Sequence, residues 1–181
     1  MRKVNICLFI GILLAGLLTG CQKHHQVSYT FDNIPDRIWP GEDFWTIPLE
    51  GWHVKNGRIE CKSNIQQAKF SVLPHVLAEG NRGFNVTFDM GLLEKGNHDG
   101  SAGVIIGSEA LEENDVRAAV YFGQGIDMGV HTEGYAFIEQ NTRQLPADFD
   151  FGSFKIDVSG SHSSGDYVIV MNVLDVSGNL A

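Results

Sequence analysis

The sequence predicts an all-β fold: an antiparallel sandwich of two sheets, preceded by an export signal. Three observations carry this. From about Ile38 onward, apolar and polar residues alternate in short runs, the period of a half-buried strand. Turn residues separate these runs roughly every ten positions. No stretch shows the 3.6-residue period and end caps of an amphipathic helix. Glycine is abundant at 21 residues, which suits the many tight turns of a sandwich.

The chain opens with Arg2 and Lys3, then an apolar stretch from Val4 to Leu18, then Leu18-Thr19-Gly20-Cys21. A charged start, a greasy middle and small residues at a cleavage point are the parts of a signal peptide in their proper order. The apolar run is shorter than the roughly 20 residues that span a bilayer. Residues 1–20 are therefore expected to be removed. Residues 21–36, which include the His24-His25 pair and have no clear period, read as a solvated tether. The domain itself is expected over 37–181.

Its strands follow in order. Trp52-His53-Val54 and Arg58-Ile59-Glu60-Cys61 flank Asn56-Gly57, the dipeptide that favours a type I′ hairpin turn. Lys69–Val72 alternates, and Phe84–Met90 places Phe84, Val86, Phe88 and Met90 on one face. Gly103–Gly107 reads as a short apolar strand. Arg117–Phe122 and Ile126–His131 read as strands around a Gly123-Gln124-Gly125 turn, with at most one helical turn near Asp115. Glu133-Gly134 joins the second of these to Tyr135–Ile138. Phe154–Val158 alternates again. Tyr167–Val176 is so apolar that burial on both faces is expected. After the turn-like Val176-Ser177-Gly178-Asn179, only Leu180 and Ala181 remain to pair with that strand. An incomplete sandwich, the N-terminal part of a longer protein, is the expectation.

Removing Arg2 and Lys3 with the signal takes the formal net charge from −9 to −11. Such an acidic surface opposes nucleic acid and anionic headgroups. Of three cysteines, Cys7 leaves with the signal and Cys21 stands at the cleavage point, so Cys61 has no partner for an internal disulfide. Its strand position predicts a small buried residue.

Leu18-Thr19-Gly20-Cys21 resembles the lipobox of bacterial lipoproteins. The resemblance implies a diacylglyceryl thioether on Cys21, and so a cell-envelope protein held to a membrane by its lipid. Gln22 and Lys23 lack the Asp that marks inner-membrane retention in some lipoproteins, which implies the outer membrane, with the domain facing the periplasm or the surface. Asp43–Cys61, Gly100–Gly107, Glu113–Ala119 and Gly123–Val130 together resemble the N-terminal β-sandwich region of the alkaline phosphatase D family, the PhoD-like metallophosphatases. More loosely they resemble concanavalin A-like and LamG sandwiches, including 3-keto-disaccharide hydrolase-like domains. The resemblance covers most of 39–178 and implies a concanavalin A-like jelly roll. In the phosphatase reading the catalytic domain would lie beyond Ala181, so no catalytic residue, metal ligand or cofactor is assigned within these 181 residues.

Five candidate features are weighed from the residues. Trp39, Trp45 and Trp52 are candidate ligand-binding residues. Indole stacks on the apolar face of a sugar, and Glu42 or Asp43 could bond its hydroxyls. The alternative is that the indoles pack the rim of the core. Gly96-Asn97-His98-Asp99 matches a phosphoesterase metal motif, but the companion motifs are missing, and these are ordinary turn residues. Glu109, Glu112, Glu113 and Asp115 form an acidic loop, read as solvated and not as a glycosidase pair or a calcium site. Arg117 and Tyr121 are placed on one face of a strand, with Asp115 and Arg117 as an ion pair. His131 beside its turn is read as structural or exposed. The expected function is a non-catalytic module that binds a glycan or packs on a downstream catalytic domain. The alternatives are a glycoside-processing hydrolase and a spacer without a ligand.

Overall fold

Asn56 and Gly57 take φ of 50° and 74°, the left-handed pair that a type I′ turn requires. The computed structural model describes residues 26–63, 67–75, 83–96, 99–109, 116–163 and 166–181. Around that turn, β2 (Trp52–Lys55) pairs antiparallel with β3 (Arg58–Cys61). A Cβ on Gly57 would sit 2.9 Å from an Asp32 carboxylate oxygen, so the preceding segment also needs glycine there. A second ribbon joins β1 (Phe44–Ile47) to β4 (Lys69–Val72), again antiparallel.

The rest of the described chain builds two larger sheets. One has the order β11-β10-β5, from β5 (Phe84–Met90), β10 (Phe154–Ser163) and β11 (Asp166–Leu174). The other runs β6-β7-β8-β9, from β6 (Ser101–Glu109), β7 (Gln124–His131), β8 (Tyr135–Ile138) and β9 (Asn141–Gln144). All pairings are antiparallel. The sheets share one apolar core, mainly aliphatic. Met128, Val130 and Ala136 come from one sheet, and Phe154, Ile156, Val158 and Val173 from the other. The alternation predicted for β5 appears as expected: Phe84, Val86, Phe88 and Met90 are half-buried while the residues between them are exposed. At Gly160 the strand has no side chain, and the rings of Phe84 and Tyr167 close over the gap.

The protein is thus mostly β, with antiparallel sheets packed as a sandwich. Several local expectations are corrected. Residues expected as a strand over Arg117–Phe122 form a helix, α1 (Val116–Phe122). Ala118 and Ala119 favour helix, and seven residues are too few for the two periods to separate. The helix stops where the Gly123 N–H bonds Ala119 O at 2.9 Å, and β7 begins at once, so Gly123-Gln124-Gly125 is not a hairpin turn. Hence Arg117 and Tyr121 share no strand face.

Strand β11 is not buried on both faces. Val168 and Val170 are 42% and 45% exposed, because nothing among the described residues covers the outer face of their sheet. Cys61 is exposed, while its neighbour Glu60 is buried. Glu60 lies between Arg58 and Lys62 on its own face of the sheet, bonded by Arg58 at 2.9 Å. Strand β9, all four residues exposed, had no apolar pattern by which the sequence could announce it.

The expected tether is folded in its later part. Tyr29 and Phe31 pack on Phe44, and Asp36 accepts the Asn56 N–H at 3.0 Å. Cys21, the signal region 1–20, His24 and His25 lie outside the described residues. So do Asn97 and His98 of the phosphoesterase-like motif, Glu112, Glu113 and Asp115 of the acidic loop, and the side chains of Glu109 and Arg117. Among the described residues no helix is long and apolar enough to cross a membrane.

Candidate functional site

The N-terminal ribbons hold an aromatic cluster in place of an aliphatic core. Phe44 and Thr46 face inward from β1, and Phe70 meets them from β4. Phe44 and Phe70 rings lie 4.9 Å apart, Tyr29 meets Phe44 edge-on at 4.9 Å, and Trp52 meets Phe70 at 5.5 Å. Such ring pairs favour tilted and edge-on geometry. Two-stranded ribbons are marginal by themselves, and here the rings supply the burial that the short strands lack.

Along one side of this cluster runs a groove of about 460 Å³. Its walls carry Tyr29, Phe31, Arg37, Trp39, Glu42 and Asp43. Arg37 is fixed at both levels. Its backbone pairs with Val54 at 3.0 and 2.8 Å, and its guanidinium donates to Pro40 O at 2.9 Å. The same guanidinium carbon lies 5.6 Å from the centre of the Trp39 ring, within cation–π range. Trp39 remains 52% exposed. Its ring is therefore held by Arg37 and still open to a ligand.

Tyr29 stands at the other end. Its hydroxyl shares a 2.8 Å hydrogen bond with His75 Nε2. Desolvation and then the nearby Asp43 carboxylate push the phenol above its ordinary pKa, so the hydroxyl keeps its proton near neutral pH. The groove thus offers an open indole, a phenol, one cation and two carboxylates. That set can stack on a ring and exchange hydrogen bonds with hydroxyls.

The three tryptophans are not brought together. Trp39 lines the groove. Trp52 points into the aromatic cluster and donates its indole N–H to Ile47 O at 3.3 Å, the rim-packing alternative raised by the sequence. Trp45 is on the face of β1 opposite Phe44 and meets Tyr121 of α1 at 6.3 Å. Glu42 and Asp43, named from the sequence as hydroxyl partners, do stand with Trp39. Tyr29, Phe31 and Arg37 were missed. The Tyr29-Thr30-Phe31 alternation was a readable signal, hidden by the tether reading.

Elsewhere, His131 stacks on Tyr135 at 4.7 Å and pairs with Glu133 at 3.4 Å, in keeping with a structural role. Asp127 and Glu139 face each other across the end of β7 and β8, where Glu139 accepts the Asp127 N–H at 2.7 Å. Desolvation first, then the Glu139 charge, raises the Asp127 pKa, against a lowering bond from the Met128 N–H. Among the described residues no group of three or more His, Cys, Asp or Glu is placed to hold a metal. Compared with protein-family models, curated proteins and solved structures, the chain has no match.

Proposed function

We propose that this chain is a glycan-binding β-sandwich module of an exported lipoprotein, held to the cell envelope by lipid on Cys21 and taking its ligand in the Tyr29–Asp43 groove. The observation that carries the binding reading is the open Trp39 ring, braced by Arg37 and flanked by Glu42 and Asp43. Sugars are recognised by an aromatic face against their C–H surface and by fixed polar groups on their hydroxyls, and one groove supplies both.

The lipid reading rests on the ordered parts of the N-terminus, and the outer membrane on the residues after Cys21. The concanavalin A-like assignment and the larger parent, with a phosphatase D-type metallophosphatase region beyond Ala181, rest on the resemblance in sequence.

Calorimetry with a panel of neutral and acidic oligosaccharides tests the site. Heat of binding is expected with at least one glycan, lost in Trp39→Ala and kept in Trp52→Phe. Absence of heat across the panel, or binding that survives Trp39→Ala, would sink the groove as a glycan site.

A further inference from the structure

The ring that the groove does not use belongs to a second surface. Trp45 is 44% exposed, Tyr121 47% and Phe122 79%. The three are in contact: Trp45 meets Tyr121 at 6.3 Å, and Tyr121 meets Phe122 at 6.0 Å. They come from β1 and from the last turn of α1, two elements far apart in sequence. Large aromatics left bare in one place mark a contact surface. Phe122 has no polar atom to satisfy, and Trp and Tyr are the residues that settle at a membrane–water interface.

Chain length selects the occupant. Tyr29 is already packed on Phe44, so only residues 22–28 separate the fold from Cys21. At roughly 3.5 Å per residue, the eight steps from Cys21 to Tyr29 reach at most about 28 Å. A lipid on Cys21 therefore holds the N-terminal ribbons close to the bilayer, where the sequence alone allowed a tether twice as long. Trp45 lies on one of those ribbons, across a single strand from the face Tyr29 touches.

We infer that the Trp45–Tyr121–Phe122 cluster rests in the interfacial layer of the membrane that holds Cys21. This rests on the reading of Cys21 as lipidated. With a formal charge of −11 after signal removal, the contact is apolar and not electrostatic. It orients the module: the cluster faces the lipid and a second anchor point joins the acyl chains. Anionic lipid weakens the contact where a basic patch would have strengthened it.

The test uses the full-length lipidated protein in phosphatidylcholine vesicles whose acyl chains carry bromine, a short-range quencher of indole emission. Quenching is expected in the wild type, largely lost in Trp45→Phe and retained in Trp39→Phe. The pair Tyr121→Ser and Phe122→Ser should reduce quenching of Trp45 while circular dichroism stays unchanged. Vesicle-bound protein without quenching, or quenching indifferent to Trp45→Phe, overturns the inference. So does loss of quenching with a concentration-dependent dimer, which assigns the surface to a second copy. A mature chain without acyl mass that fails to float with vesicles overturns the lipid reading itself, a result distinct from the others.

Discussion

The two halves of this molecule solve the same burial problem with different side chains. Residues 84–181 make strands of up to ten residues, and their sheets meet mainly over aliphatic groups: Met128, Ile156 and Val158 have no exposed surface. Residues 29–72 make four-residue strands in two-stranded ribbons, and rings do the packing. A long strand in a sandwich repeats its inward position every second residue, so small branched side chains suffice. A short ribbon has only two inward positions per strand, so a few rings, Phe44 and Phe70 with Tyr29 and Trp52, supply most of the burial. Rings this size do not close over completely. The groove lies beside the ribbons, and the exposed aromatic cluster joins Trp45 of β1 to Tyr121 and Phe122 of α1. Among the described residues, the ring contact of Trp45 with Tyr121 is the one that links the two halves by aromatic packing.

The comparison can be broken most directly by removing one residue from each core. Phe44→Ala takes out the ring that touches Tyr29, Phe31 and Phe70, at an expected cost of about 3–5 kcal/mol. Ile156→Ala empties the centre of the sandwich, at about 2–5 kcal/mol. If the halves fold as separate units, denaturant unfolding followed by tryptophan emission and by far-ultraviolet dichroism should diverge. All three tryptophans lie within residues 29–72, and most of the strand lies in the sandwich. Coincident transitions in both variants would mean that the two cores form one cooperative unit.

A smaller effect is expected at Thr46. Its hydroxyl is buried in the aromatic cluster with no hydrogen-bond partner among the described residues. A buried unpaired hydroxyl costs on the order of 1–3 kcal/mol. Thr46→Val keeps the shape and should therefore stabilise, by about 1 kcal/mol, read as a raised midpoint in urea. A lowered midpoint would mean that a partner for the hydroxyl is present in solution.

The smallest effect concerns the sandwich alone. The pKa of Asp127 is raised in the folded state, so the fold binds a proton more readily than the unfolded chain does. Stability from this group is present below the unfolded value near 3.8 and is lost as pH rises through the folded value. Across that window the melting temperature of the wild type should fall relative to that of Asp127→Asn. In Asp127→Asn that component should be absent, leaving the variant the more stable protein at neutral pH. Parallel curves would show that the carboxylate is well solvated.

Legibility differed between the halves for the same physical reasons. Strand β5 and strand β4 were readable because alternation is a local consequence of facing one core. The Asn56-Gly57 turn was readable because few residues accept positive φ twice in succession. Helix α1 was not, since a seven-residue run with two alanines satisfies strand and helix patterns alike. The burial of β11 was misjudged because composition cannot say whether both faces of a sheet are covered. At the groove, Trp39 with Glu42 and Asp43 was legible as a group of neighbours in sequence. Tyr29 and Arg37 arrive there by pairing with Phe44 and Val54, contacts that no window of sequence contains.

The sequence by itself determined the class of fold, most of its strands, the hairpin at Asn56-Gly57 and the surplus of negative charge. These depend on period, on turn stereochemistry and on counting, all of them local. Tertiary structure alone decided that the three tryptophans part company: one to a groove, one to a core and one to an exposed cluster with Tyr121 and Phe122. Which face of a ribbon is inside depends on what packs against it, and that partner comes from elsewhere in the chain.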